Sequence, residues 1–176
     1  GAVLDDGVGG TRIAVNSLCG AGSSIGSACA ALQTQVATLD ATSTSGDIRI
    51  AELDAIGLSD ILSSGSLEVS GGSMTAFNVD VAGSASLNSA GTITRGISGL
   101  AFGGSCANIA ASSLNLIATA IGDAQPLTVE TSSLTAVSTS GGIHVDAFTS
   151  TFLSATSASF VAVRTLTGDL TGVNVG

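Results

Sequence analysis

Three cysteines, one histidine and 13 acidic residues carry most of the reactive chemistry in this 176-residue chain. His144 and Asp146 flank Val145. On a strand, both would project from one face, and with serines throughout the chain a Ser-His-Asp triad is the first chemistry to weigh. The related stretch earlier in the chain has Arg49 and then Glu52, with no matched acid, so an ordinary wet strand face is the better reading of the pair. The lone histidine also lacks the neighbours that a zinc site needs. Polysaccharide cleavage requires clustered carboxylates, as acid and base or as calcium ligands, with a basic group nearby. Here Asp5-Asp6, Asp40, Asp47, Asp54, Asp60 and Glu130 are scattered singly or in loose pairs. The glycine-aspartate nonapeptide of calcium-binding repeats is absent as well. The run Gly20-Ala21-Gly22-Ser23-Ser24-Ile25-Gly26 resembles a phosphate loop, but a dinucleotide fingerprint needs glycine where Ile25 stands. It reads as a turn. No catalytic, metal or cofactor residue is assigned, and the chain is expected not to be an enzyme.

Charge narrows the partners. The net charge is −9, there is no lysine, and the cations are Arg12, Arg49, Arg95 and Arg164. So few cations cannot neutralise many phosphates, which argues against nucleic acid and against an anionic membrane surface. No apolar run approaches the ~18 residues of a membrane-spanning helix, so no membrane insertion is expected. The first residues show no basic-then-apolar leader, and a start at Gly1 suggests a processed chain or an excised piece, which is compatible with secretion.

The elements that would position these residues come from repetition. TSTSGDIRI (42–50) returns as VSTSGGIHV (137–145). Ile13 matches Ile109, Leu18 matches Leu114 and Ile25 matches Ile121, each 96 positions apart. Leu39 matches Leu134 and Ile48 matches Ile143 at 95, and Asn78-Val79 matches Asn174-Val175 at 96. Two blocks are read from this, 1–96 and a truncated 97–176. Within them apolar and polar residues alternate, as in Ile48-Arg49-Ile50, Leu67-Glu68-Val69 and Ile143-His144-Val145. Period-2 alternation makes short strands with one face buried. The absence of Trp and Tyr points to a thin interior filled by Ala, Val, Ile and Leu. A sandwich has no reason to repeat at this distance. A β-solenoid with coils of about 20 residues does, at about five coils per block and eight or nine in all. Segment 27–41 has helix-favouring residues, but its counterpart 123–137 holds Pro126 and β-branched residues, so both are read as strand and turn.

On these residues the chain resembles the repeats of filamentous-haemagglutinin-like secreted bacterial proteins. The matching pieces are GTIT (91–94), ANIAASSLNL (107–116), AIGDAQPL (120–127) and STSGGI (138–143). The first block departs from them, with Leu18-Cys19-Gly20 where the second has Leu114-Asn115-Leu116, so a looser coil is expected there. The resemblance implies an all-β, right-handed parallel β-helix in an exported surface protein, used for adhesion or as a fibre. It implies no catalytic residue.

Against that frame, Cys106 lies about four coils beyond Cys29, roughly 19 Å along the axis, outside disulfide reach. Cys19 and Cys29 are the pair expected to bridge in an oxidising compartment, leaving Cys106 free or intermolecular. The functional expectation is an extracellular rod of an adhesin or surface filament. Its partners would be neighbouring coils or subunits end to end, or a cell-surface or glycan ligand. The alternative is a carbohydrate-binding or carbohydrate-cleaving β-helix.

Overall fold

The computed structural model describes residues 1–3, 12–27, 29–97, 107–149 and 151–176. These residues form no helix, and their 16 strands are all parallel in one continuous sheet. The chain winds as a β-solenoid of about 8 turns with coils near 19 residues. At about 4.8 Å per turn the body is on the order of 40 Å long.

The coils feed three stacks of inward side chains in a fixed order, the second of them from Ile56 onward. The first holds Val3, Ile25, Ile48, Leu67, Ala85, Leu114, Leu134 and Leu153. The second holds Ile56, Met74, Ile93, Ile121, Ile143 and Val161. The third runs Gly20, Ala41, Ile61, Val79, Ile109, Val129, Ala147 and Thr165. The inward members from Ile48 to Ile143 are almost wholly shielded from water. Burial of each large aliphatic contributes about 1.5–3 kcal/mol, which is how so narrow a body offsets its chain entropy. Segment 27–41 is strand and turn, as its counterpart indicated: a strand covers Leu32–Ser43, and strands cover Leu127–Glu130 and Ser133–Ser138.

The duplicated STSG (43–46 and 138–141) is a corner device. Ser43 Oγ donates to the Gly46 carbonyl at 2.6 Å, and Ser138 Oγ donates to the Gly141 carbonyl at 2.9 Å. Ser63 to Ser66, Ser89 to Thr92 and Thr165 to Gly168 repeat this bond three residues onward. A hydroxyl near the interior thereby satisfies a carbonyl that a sharp bend takes off the ladder.

A second duplicated feature is a bulge. The chain leaves the wall after Ile25 and re-enters at Leu32, and it does the same between Ile121 and Leu127. Both exits begin at a glycine with positive φ, Gly26 at 71° and Gly122 at 62°. A Cβ at Gly122 would lie 1.9 Å from the His144 carbonyl oxygen, so no other residue fits without displacing the next coil.

The two blocks do not stack as five coils upon five. Ile25 and Ile48 belong to the first stack, whereas their counterparts Ile121 and Ile143 belong to the second. Val79 is in the third, and its counterpart Val175 pairs with Ala155 on the first side. The cause is one long coil. From Ala85 to Leu114 the chain takes 29 residues, where the coils from Ile48 to Ala85 and from Leu114 to Leu153 take 18 to 20. The extra residues fall between Gly96 and Asn108. Consequently 95 residues advance four coils and one further side, and related segments lie on adjacent walls.

Candidate functional site

The longest arrangement of functional groups is a polar ladder one position before the third stack. It comprises Cys19, Asp40, Asp60, Asn78, Asn108, Thr128, Asp146 and Arg164, one from each coil. Cys19, Asp40, Asp60, Thr128, Asp146 and Arg164 lie within strands, and Asn78 and Asn108 stand immediately before the strands Val79–Ser89 and Ile109–Ala118. Asn78 Nδ2 donates to Asp60 Oδ1 at 2.8 Å. Asn108 is 4% exposed. Its Nδ2 donates to the carbonyls of Phe77 at 3.2 Å and Gly96 at 3.1 Å, while its Oδ1 accepts from Thr128 Oγ1 at 2.6 Å. One amide therefore ties Phe77 and Gly96 of the preceding windings to the following coil.

Asp146 is also buried, and Arg164 of the next coil meets it with two bonds, Nε to Oδ1 at 2.5 Å and Nη2 to Oδ2 at 2.7 Å. Hydrogen bonding first, and then the carboxylate's charge, push the guanidinium's pKa above its ordinary value. His144 lies two positions away on the strand Ile143–Ala147, with no hydrogen bond to Asp146. The carboxylate that a triad would need is thus committed to an arginine.

The remaining described acids are spread along the coils. Glu52 turns inward, accepting from Thr34 Oγ1 at 2.7 Å and from the backbone N–H groups of Val36 and Leu53 at 3.1 and 3.0 Å. Asp47 accepts from Ser66 N at 2.8 Å, and Arg49 lies between Asp47 and Glu68. Asp54 accepts from Gln35 Nε2 at 3.5 Å. Among the described residues, no three His, Cys, Asp or Glu side chains converge as metal ligands. These bonds run from one coil to the next, so their effect is to hold register. Asp5, Asp6 and Cys106 lie outside the described residues.

Cys19 and Cys29 are free, exposed thiols, and the expected bridge between them is not present. Alternation along Ile13–Gly22 turns Leu18 and Gly20 inward and Cys19 outward at the polar ladder, opposite Asp40. Cys29 stands in the bulge after Ile25, off the wall. The looser first coil is seen directly: Leu18 and Gly20 line an apolar cavity of about 40 Å³ beneath Ile25 and Leu39.

The outer face of the first side differs from the rest. Arg49 and Glu68 mark its early coils. From there on, Ser86, Asn115, Thr135, Ser154 and Asn174 succeed one another, flanked by Asn88, Ile117, Val137 and Thr156. Five consecutive coils present no charge on this face, in a chain of net charge −9. Sequence reasoning missed both this face and the polar ladder, because their members lie 18 to 30 residues apart at uneven intervals.

No family model, curated protein or solved structure matches the chain.

Proposed function

We propose that the chain is a structural rod, a spacer segment of an extracellular adhesin or surface filament. The observation that supports it is the coupling of every coil to the next by three aliphatic stacks and one polar ladder, with side-chain chemistry spent on register. Such a body resists bending and extension because each coil is held by backbone bonds along the whole axis. The described acids are spread along the coils, and no three of them converge, which favours the rod over that reading.

Stacking in the long direction follows from the same geometry. The strands Val161–Thr165 and Leu170–Val175 pair on one edge, with Ile143–Ala147 and Thr151–Ser157. Among the described residues they have no strand on the other edge, and end-to-end placement of a subunit or adjoining repeat would continue the same ladder. The repeats' likeness to secreted haemagglutinin-like proteins supports an exported setting.

Immunogold electron microscopy of the producing cells, with antibody against this chain, tests the reading. Label on fibres outside the cell is the expected result. Label confined to the cell interior would overturn it.

A further inference from the structure

We infer that the uncharged outer face of the first side is a lateral interface, and that its occupant is the same face of a second copy. The inference rests on the rod proposed above and adds which side of it meets a neighbour. The charge distribution supports the choice. The described acids Asp40, Asp60, Asp80 and Glu130 belong to the third side, and Asp47, Arg49 and Glu68 to the early coils of the first. Two copies of a chain with net charge −9 repel one another on most approaches. Over the five coils from Ser84 to Asn174 the three outward columns hold no charge, and the exposed Asp169 borders the last of them, just before the strand Leu170–Val175.

Shape points the same way. The outward side chains are Ser, Thr and Asn with Ile117, Val137 and the half-exposed Phe152, which is the one large group on the face and follows Ser133 in the outermost column. No hydrogen bond within the chain engages the side chains of Asn88, Thr135, Ser154 or Thr156, so their groups are available across a contact. An isologous pairing about a two-fold axis would centre on Thr135, the middle rung, and set it against its own counterpart.

Size fixes the strength. Five coils span roughly 20 Å and three outward columns roughly 17 Å, or about 350 Å² per copy. That is less than half of the ~800 Å² per partner of a stable complex. A single pair of copies therefore associates weakly, with a Kd on the order of 0.1–1 mM. Rods carrying many such contacts would gain by avidity.

Sedimentation equilibrium of the intact chain, under reducing conditions up to about 1 mM, reads the association. The mass-average should rise from 16.8 kDa toward twice that value, and Thr135→Asp with Ser154→Asp should return it to monomer while circular dichroism stays unchanged. A chain with all three cysteines changed to serine supplies a second readout. In that background Thr135→Cys should form a disulfide dimer at least ~10-fold faster than Thr75→Cys, which sits on the second side. A monomer throughout, with equal cross-linking rates, would overturn the inference. A mass rise untouched by the double substitution would also overturn it while leaving end-to-end stacking of the rod intact. Laminarin, a neutral soluble glucan, serves as a control. Its binding by a monomeric wild type, lost in the double variant, would assign the face to sugar and reject the second copy.

Discussion

Two glycines on the inner wall should respond to the same substitution with opposite sign. At Gly20 a Cβ would meet only Ile25 Cδ1, at 3.8 Å, and would enter the ~40 Å³ apolar cavity. Gly20→Ala removes chain freedom from the unfolded state, worth about 0.4–1 kcal/mol, and buries one methyl, worth about 0.8 kcal/mol. Together these stabilise by about 1–2 kcal/mol, or a Tm rise of about 2–8 °C at this chain length. At Gly122 the backbone is left-handed and the new Cβ would fall 1.9 Å from the His144 carbonyl oxygen. The left-handed conformation costs alanine roughly 1–2 kcal/mol. Displacing the next coil's backbone adds to that, so a loss of about 3 kcal/mol and a Tm fall of about 6–12 °C are expected. Both are read by thermal melts followed by circular dichroism, with urea midpoints as a check on cooperativity. The reasoning fails if Gly122→Ala is neutral, because the bulge geometry would then not be a requirement. It fails equally if Gly20→Ala destabilises by more than about 1 kcal/mol.

Asn108→Ala removes the amide joining Phe77, Gly96 and Thr128 and leaves buried carbonyls unpaired; a loss of about 2–4 kcal/mol in the urea-derived stability is expected. Asn108→Asp loses the donors but keeps the acceptor, so it should be no more stable than wild type. Arg164→Met strands the buried Asp146 carboxylate, and the melting temperature should drop at neutral pH. Adding Asp146→Asn to that variant should recover part of the drop, and a double-mutant cycle measures the coupling. In the folded, reduced protein, Cys19 and Cys29 should react with a thiol reagent as fast as a small model thiol, which timed mass spectrometry of labelled peptides would show. Slow labelling of either would contradict its placement.

The chain's pattern announced its walls well. Ile48-Arg49-Ile50 and Ile143-His144-Val145 are inside-outside-inside in the structure, because alternation is a property of the extended backbone itself. The likeness of STSG at 43–46 and 138–141 was legible, and so was its turn character. The bond from each serine to a carbonyl three residues onward is a local matter that short-range chemistry decides.

Register was decided elsewhere. Nothing local says that Ala85 will meet Leu114 and not a residue ten positions earlier; that register depends on pairing across coils, with the Asn108 amide bonded to Gly96 and to Thr128 of the following coil. That single long coil moved the second block one wall round, so Ile143 stacks on Ile121 and Val161, far from Ile48. Pairing of Asp146 with Arg164, and the separation of Cys19 from Cys29, are consequences of the same stacking. Residue types therefore determined strand, turn and inward face, since those depend on sterics and burial within a few bonds. Which coil lies against which depends on the summed packing of all the windings, and only the folded stack supplies it.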